Sequence, residues 1–384
     1  MGAGVDQGGK AGPFHRKSAA KLSPTRGVVK PGCWRSRGPR AILLRMGKPL
    51  SNRFSEADAR PERLDGLTVA ILGFGNQGHA HALNLRDSGI DVIVGAREGG
   101  KGGAAARESG FEVLDFGAAS ARADVVMMLL PDEIQARVFE EAVAPNWPDH
   151  AVLAFAHGFA LAFDLIRLPE GRRAMLVAPK GQGHKLREAF VAGGGLPGLV
   201  AVSGPDQEDT LELALAYAHA CGALKGGGFL STFREEAVSD QFGEQTVLCG
   251  GLVELVTAAW ETLVDRGHSP EVAYFECLHE VKIIVDLMHE HGIDGMRERI
   301  STTAAWGGLQ AGPKVISKES RQQMGEILDR IENGEFAREF IEVQKGSALA
   351  DSIRKEAQHP IVGTGDGLRE FLKRCRLDQT RSED

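Results

Sequence analysis

The chain has 384 residues and a formal net charge of -7, with 42% hydrophobic and 25% charged residues, a composition typical of a globular protein of about two domains. The acidic balance and the lack of a basic stripe in the folded part argue against nucleic acid as the main partner. No apolar run approaches the ~18 residues of a membrane span, which predicts a protein without a membrane partner. Five cysteines without zinc spacing predict reduced thiols and a cytoplasmic location.

Residues 1–60 are predicted to be a disordered basic extension, because the segment before Met46 holds ten Lys or Arg but only one acid, Asp6. Two interpretations are open. The segment resembles a mitochondrial or plastid transit peptide, which is rich in Arg and Ser and poor in acids, or it is translated upstream of a natural start at Met46. Gly and Pro interrupt any amphipathic helix here, which favours the second interpretation.

A strand, a glycine-rich turn, a helix from about Gln77 and a second strand over 91–94 are predicted by the segment LTVAILGFGNQGHAHALNLRDSGIDVIVGAR. Gly73, Gly75 and Gly78 have the G-x-G-x-x-G spacing, which allows a tight turn and close approach of a pyrophosphate to the helix N-terminus. This pattern indicates a dinucleotide site. A glycine-rich turn without a ligand remains the alternative.

The choice of dinucleotide is made at the end of the second strand, where an acid would bind the ribose of NAD and a basic residue would favour NADP. Arg97 and Lys101 favour NADP, while Glu98 keeps NAD open. Either basic side chain could also simply be solvated.

Further strands are predicted in ADVVMMLL, HAVLAFAHG and AMLVAPKG, with a helix in PDEIQARVFEEAV. Alternating strands and helices predict an α/β fold, a Rossmann domain over 61–231 with a doubly wound, mostly parallel sheet. Asp132, His157 and Lys180 follow strand ends, where ligands bind in such sheets. For His157, a hydrogen-bonded structural histidine is the alternative.

An all-helical domain is predicted over 232–375, followed by a tail over 376–384. One helix is expected to begin with Ser269 as N-cap and Pro270 in its first turn, and to end at Gly292.

Two carboxylate pairs lie in the predicted helices, Asp240 with Glu244 and Glu276 with Glu280. The i, i+4 spacing places each pair on one helix face. The pairs lie among residues expected in the core: Phe242, Val247, Leu248, Tyr274, Phe275 and Leu278. Converging hard oxygen ligands suit two Mg²⁺ ions. The alternative is that the acids are solvated or paired with basic residues.

Seven segments in order resemble the ketol-acid reductoisomerase family in its short, class I form. They are GFGNQGHAHALNLRDSG, LLPDEIQ, AFAHGF, VAPKGQGH, DQFGEQTVLCGG, AYFECLHE and RISTTA. The resemblance implies a Rossmann domain followed by a knotted helical domain through which two subunits interlock. It also implies NADP, two Mg²⁺ and an acetohydroxy acid substrate that undergoes alkyl migration and reduction on the route to valine and isoleucine.

The resemblance further implies roles for particular residues. Asp240, Glu244, Glu276 and Glu280 would bind the metal pair, with Glu280 also relaying a proton. Glu276, Glu280 and the substrate-binding Ser301 would come from the partner subunit of a homodimer, which could assemble further. His157 and Lys180 match active-site residues. The positions that match nucleotide contacts are Gly73, Phe74, Gly75, Asn76, Gln77, Gly78, Arg97, Gly100, Gly102, Asp132, Glu133, Ile134, Gln135 and Gly183.

Several positions depart from the family pattern. Phe74 and Asn76 stand where Tyr and Ser are frequent, and Gly100 and Gly102 replace serines that bind the 2′-phosphate of NADP. Residues 304–306 (Ala, Ala, Trp) replace a more polar stretch near the substrate. These changes leave open a shifted cofactor or substrate preference.

Two other hypotheses are compatible with the residues alone. One is a metal-free Rossmann dehydrogenase acting on a 2- or 3-hydroxy acid, with structural carboxylates. The other is a nucleotide-binding relative without turnover.

Overall fold

A nine-stranded, mostly parallel sheet forms the first half of the chain in the computed structural model, which describes residues 52–381 and, within them, side chains up to Cys375. The strands are β1 (Arg53–Phe54), β2 (Thr68–Leu72), β3 (Asp91–Gly95), β4 (Glu112–Leu114), β5 (Val125–Met128), β6 (Val152–Phe155), β7 (Ala174–Pro179), β8 (Gly198–Ser203) and β9 (Gly228–Leu230). Their order across the sheet is β1-β9-β8-β7-β6-β5-β2-β3-β4. The predicted doubly wound α/β class is confirmed.

The chain reverses its direction of travel across the sheet between β2 and β5. From β2 it adds β3 and β4 on one side, and then returns to add β5, β6 and β7 on the other, all parallel to their neighbours. The remaining pairs include two antiparallel ones, β7 with β8 and β1 with β9. Such a switch point leaves a crevice at the carboxyl ends of β2 and β5, where open α/β sheets bind ligands.

Both faces of the sheet are covered, as the apolar runs of the sequence require. In β2, Val69 and Ile71 enter one buried apolar cluster, whereas Ala70 and Leu72 enter the cluster on the opposite face. The helices of this half are α1 (Asn76–Asp87), α2 (Lys101–Glu108), α3 (Phe116–Ala121), α4 (Asp132–Val138), α5 (Phe159–Ala162), α6 (Gly183–Val191) and α7 (Gln207–Ala220).

The prediction of a disordered extension over 1–60 is wrong for its last residues. Arg53–Phe54 pairs antiparallel with β9, and Phe54 is 4% exposed in the apolar core. A two-residue strand has no detectable periodicity, so it is recognised only through its partner. Residues 1–51, with the two interpretations of the basic segment, lie outside the described residues.

Within the described range, every residue assigned to a strand precedes Ser231, and the rest of the chain is helical. These helices are α8 (Phe233–Gly243), α9 (Gly251–Val264), α10 (Pro270–Tyr274), α11 (Val281–Glu298), α12 (Thr302–Val315), α13 (Lys318–Glu332), α14 (Glu335–Val343), α15 (Ala348–Glu356) and α16 (Pro360–Arg381). The last one extends into the tail predicted over 376–384, of which 382–384 are not described.

Two π-helical turns interrupt the segments that carry the predicted metal ligands. Glu244–Leu248 continues α8, and Phe275–His279 joins α10 to α11. In the second turn the Glu280 N–H donates to the Phe275 carbonyl, so the helix widens between Glu276 and Glu280. Such turns occur frequently at functional sites. Ser269 caps α10 by accepting from the Val272 N–H, and Gly292 breaks α11 at φ 76°.

The apolar residues beside the acid pairs are only partly buried, contrary to the sequence prediction. Tyr274 is buried at 9% exposure, but Val247 is 54% exposed, Leu248 62% and Leu278 37%. The helical stretch Phe233–Val264 is also long and apolar enough to cross a membrane by length and composition alone, and an 18-residue part of it has a mean hydropathy of 1.6 with 11% of its residues buried. The sequence prediction overlooked this stretch. A single chain therefore leaves a large apolar helical surface uncovered.

Candidate active site

The glycine turn after β2 has the geometry that close approach to a ligand requires. Gly73 has φ 98°, and a Cβ there would lie 2.6 Å from the Leu129 carbonyl oxygen. A Cβ on Gly78 would lie 2.0 Å from the Gly73 carbonyl oxygen, so the first turn of α1 packs against the strand end. Gly75 is exposed at the N-cap of α1 and faces open space. This is where a pyrophosphate would meet the helix N-terminus.

The end of β3 places the residues expected to select the cofactor beside this turn. Arg97 and Lys101 are exposed, and Gly100 caps α2. A Cβ on Gly102 would make ordinary contact with Phe74, at 3.4 Å from its carbonyl oxygen. A serine would therefore fit at Gly102, and its absence has no steric cause.

The side chain of Gln135 stabilises the turn after β5. Gln135 Nε2 donates to the Leu130 carbonyl at 2.8 Å and to Asp132 Oδ1 at 3.0 Å. Burial, together with the charges of Glu133, Glu236 and Asp240, raises the pKa of Asp132. Asp132 thus belongs to the same electrostatic environment as the cluster at the ends of β6 and β7, although the resemblance assigned it only to the nucleotide.

A buried carboxylate, Glu236, joins the residues that follow β6 and β7. Its Oε1 accepts from Lys180 Nζ at 2.7 Å, and its Oε2 accepts from His157 Nδ1 at 3.0 Å and from the Gly158 N–H at 2.7 Å. The Glu236 side chain is 1% exposed. Asp240, one turn further along α8, accepts from Lys180 Nζ at 2.8 Å, and its other oxygen lies 3.6 Å from His157 Nδ1. We call Lys180, His157, Glu236 and Asp240 the polar cluster.

Contacts within the polar cluster set the pKa values of three of its members. Burial raises the pKa of Glu236, but hydrogen bonds and charge from His157 and Lys180 outweigh it and lower that pKa to about 2. Burial lowers the pKa of His157, but Glu236 and the nearby acids Asp132 and Asp240 raise it to about 9. Burial likewise lowers the pKa of Lys180, and Glu236 and Asp240 raise it above its usual value. Near neutral pH, His157 and Lys180 are therefore cations and Glu236 is a carboxylate.

The sequence interpretation missed Glu236, although a signal was present. Glu236, Asp240 and Glu244 are spaced four residues apart and form one acidic stripe on a helix. Glu235–Glu236 follows the N-cap Thr232, where acids are common for helix-dipole reasons. Only the packing of α8 against the sheet shows that Glu236 faces inward.

Two of the predicted metal ligands, Asp240 and Glu244, interact within one chain. Burial and then the charge of Asp240 raise the pKa of Glu244, so these two carboxylates repel each other in a half-buried position. A divalent cation would relieve that repulsion, which fits the donor set expected for Mg²⁺. His157, Glu236 and Asp240 also place nitrogen and oxygen atoms within 4.8 Å of one another, but His157 and Glu236 are paired with each other.

Glu276, Glu280 and Ser301 are not brought to the polar cluster. All three are exposed, and among residues 52–381 the acids Glu276 and Glu280 join no group of three converging ligand atoms. Ser301 is the N-cap of α12, where its Oγ accepts from the Ala304 N–H at 3.1 Å. Of the four predicted metal ligands, one chain therefore brings together Asp240 and Glu244 only.

A dinucleotide turn at the switch point of a doubly wound sheet, beside a cluster of acids, lysine and histidine around the buried Glu236, defines a Rossmann-fold protein of the oxidoreductase class. Residues 63–227 match the family model described as acetohydroxy acid isomeroreductase, NADPH-binding domain. Residues 233–374 match ketol-acid reductoisomerase, C-terminal domain. The chain belongs to the ketol-acid reductoisomerase family.

Individual relatives agree with this assignment. The chain is similar to ketol-acid reductoisomerase (NADP(+)) of Kineococcus radiotolerans, with 46% identity over 86% of this chain and 97% of that protein. It is also similar to a solved NADH-preferring ketol-acid reductoisomerase from an uncultured archean, with 42% identity, a TM-score of 0.80, and coverage of 83% of this chain and 98% of that one. A semialdehyde dehydrogenase NAD-binding protein from Cupriavidus necator, at 20% identity and a TM-score of 0.52 over 70% of this chain and 99% of that one, shares the fold alone.

Proposed function

We propose that this chain catalyses the Mg²⁺-dependent alkyl migration and nicotinamide-dependent reduction of 2-acetolactate and 2-aceto-2-hydroxybutyrate. The products are the 2,3-dihydroxy acids of valine and isoleucine biosynthesis. The observation that carries the proposal is the position of Lys180 and Asp240, 2.8 Å apart, at the sheet edge that also carries the glycine turn.

Lys180 acts on a substrate oxygen. An ammonium has three N–H donors, and Glu236 and Asp240 accept two of them. The third can be donated to the carbonyl oxygen on which negative charge develops during migration. Because Glu236 is buried and held by three donors, it fixes the direction of the lysine.

Asp240, Glu244, Glu276 and Glu280 would hold two Mg²⁺ ions, which supply Lewis-acid polarisation of the substrate oxygens when bound. The repulsion between Asp240 and Glu244 supports the first half of this site. Glu280 acts as the proton relay for the substrate hydroxyl, as a carboxylate beside the reacting centre can. Ser301 binds the substrate carboxylate, since its Oγ accepts from a backbone N–H and its own hydroxyl hydrogen remains to be donated.

The nicotinamide cofactor, which supplies the hydride, would lie across the glycine turn and the end of β3. Its 2′-phosphate would meet Arg97 and Lys101, which supports NADP. NAD is the alternative, because Gly100 and Gly102 provide no hydroxyl for that phosphate. The cofactors in the names of the two family relatives include both, NADP(+) in one and NADH in the other.

The active site is shared in a homodimer. Two observations support this proposal: the exposed positions of Glu276, Glu280 and Ser301 in a single chain, and the exposed apolar side chains around the acid pairs, including Val247 and Leu248. A second subunit would cover the exposed apolar side chains of the stretch Phe233–Val264, which needs no membrane partner. The protein acts in the cytoplasm, or in mitochondria or plastids if residues 1–45 direct import.

The test is oxidation of NADPH and of NADH with 2-acetolactate, with and without Mg²⁺, together with product analysis for the dihydroxy acid. The proposal expects turnover only when the divalent ion is present. Turnover of a simple 2-keto acid without any divalent ion would instead identify a metal-free dehydrogenase. Tight binding of NADPH without turnover of either acetohydroxy acid would identify a relative that only binds nucleotide.

A further inference from the structure

The first turn of α1 is bonded to the loop that carries Lys180. Gln77 Nε2 donates to the Gly181 carbonyl at 2.9 Å, across 104 residues of sequence. Asn76 Oδ1 accepts from the His184 N–H at 3.2 Å. A Cβ on Gly183 would lie 2.0 Å from the Asn76 carbonyl oxygen, so the two segments are in direct contact. The strands they follow, β2 and β7, are separated by β5 and β6.

The amide of Gln77 has one orientation in this contact. A carbonyl can only accept, so the NH₂ group must face Gly181. That leaves Gln77 Oε1 buried and without a hydrogen-bond donor among the described residues. Neither Gln77 nor Asn76 caps its own helix, because the N-cap is Gly75 and has no side chain. Both side chains are directed to the neighbouring loop instead.

The position of the Lys180 side chain depends on the backbone of that loop. Its own N–H donates to the Pro197 carbonyl at 2.8 Å, and the next residue, Gly181, is held by Gln77. On the far side, Nζ must reach both Glu236 and Asp240 within 2.8 Å. A lysine on a flexible four-carbon stem keeps such a geometry only while its backbone is fixed, and a displacement of ~1 Å in a catalytic group can cost about a hundredfold in rate.

We propose that Gln77 is a positioning residue that couples the dinucleotide turn to Lys180, through the hydrogen bond from its side chain to Gly181. The role rests on the function proposed above, since it assumes that Lys180 acts on the substrate. It goes beyond a nucleotide contact, because it makes the rate of the chemistry depend on a residue of the cofactor turn.

Two roles of Gln77 give different kinetics. A residue that touches only the nucleotide raises KM for NADPH when it is changed and leaves kcat at saturating NADPH as it was. A residue that positions Lys180 lowers kcat at saturation and alters the environment of the lysine amine even without cofactor. The second readout separates coupling from nucleotide contact.

The experiment compares Gln77→Met, which keeps the length and removes the donor, with the control Gln182→Met in the exposed loop beside Lys180. Steady-state kinetics are measured at saturating NADPH and Mg²⁺. In parallel, the cofactor-free full-length proteins are treated with a limiting amount of an acetylating reagent, and acetylation of Lys180 is quantified by peptide mass spectrometry. A second variant, Gln77→Asn, is too short to reach Gly181 and replaces the first if Gln77→Met does not fold.

For Gln77→Met we expect kcat to fall about tenfold to a hundredfold and Lys180 to be acetylated several times faster, with both values unchanged for Gln182→Met. An increase in KM for NADPH alone, with kcat and acetylation unchanged, would overturn the coupling. Failure of the proposed function has a separate signature, because the unsubstituted protein would then show no turnover. The acetylation comparison decides the coupling in that case as well.

Discussion

Lys180 Nζ lies 2.7 Å from Oε1 of Glu236, a carboxylate whose side chain is 1% exposed. The same carboxylate accepts from His157 and from the Gly158 N–H. One acid on a helix of the second half thus fixes the residues that follow two neighbouring strands of the first half. The packing of α8 against the sheet therefore sets the geometry of the polar cluster.

Replacement of Glu236 by Gln should lower kcat by about a hundredfold or more, because the uncharged amide no longer holds the lysine and imidazolium in place. The measurement is NADPH oxidation with 2-acetolactate at saturating Mg²⁺. Glu235→Gln, a change of the exposed neighbouring residue, is the matched control and should retain activity. Equal kcat values for the two variants would show that Glu236 does not contribute to the reaction.

Replacement of Glu244 by Gln should raise the Mg²⁺ concentration for half-maximal activity at least about tenfold, since one charged oxygen ligand is lost. Burial and the charge of Asp240 already raise the pKa of Glu244, and bound metal relieves that repulsion. A Mg²⁺ titration of activity checks this, with Glu235→Gln again as control. Activity that persists in the native protein after exhaustive EDTA treatment would contradict any metal role.

Replacement of Arg97 by Ala should raise KM for NADPH about tenfold, because about one charge-assisted hydrogen bond to the 2′-phosphate is lost. The KM for NADH should stay nearly unchanged, because NADH has no 2′-phosphate. Arg97 is exposed at the end of β3, so the fold should be unaffected. NADH serves as the internal control. If both KM values rise together, the guanidinium does not select for the 2′-phosphate.

Stability should fall between pH 6.5 and pH 4 because of His81. Burial lowers its pKa from 6.5 to about 4, so the unfolded chain binds a proton in this window that the folded chain does not. The contribution of neutral His81 to the free energy of unfolding is complete above pH 6.5. It declines as the pH falls and is smaller by about 2 kcal/mol at pH 5.

The check is the free energy of unfolding in urea at pH 7.5 and pH 5 for the native protein and for His81→Gln. The variant should be less stable at pH 7.5, since Tyr217 loses its 3.0 Å contact with His81 Nδ1, but should lose less stability on acidification. Identical pH dependence in both proteins would show that His81 does not titrate in this range.

The sequence predicts those parts of the site that depend on local pattern. Asp132, His157 and Lys180 are expected together because the carboxyl ends of parallel strands meet at one edge. The structure brings Asp132 and His157 into one electrostatic environment, and Lys180 joins it through its bonds to Glu236 and Asp240. The sequence does not identify Glu236 as a site residue, because tertiary packing decides whether an acid on a helix faces inward.

The helical half was predicted less completely than the sheet. Val247 and Leu248 were expected in the core by apolarity alone, and they are exposed because the chain does not cover them itself. The strand Arg53–Phe54 is too short to show a period. In both cases the structure depends on which segment packs against these residues, and a short stretch of sequence does not identify that segment.

We propose above that one active site combines Asp240 of one subunit with Glu280 of another. Asp240→Asn and Glu280→Gln should each be inactive alone. Co-expression of the two variants should restore about a quarter of native specific activity, because half of a random dimer population is mixed and each mixed dimer holds one intact site of two. Purified mixed dimers with no more activity than the single variants would show that both carboxylates act within one chain, and would contradict the shared site.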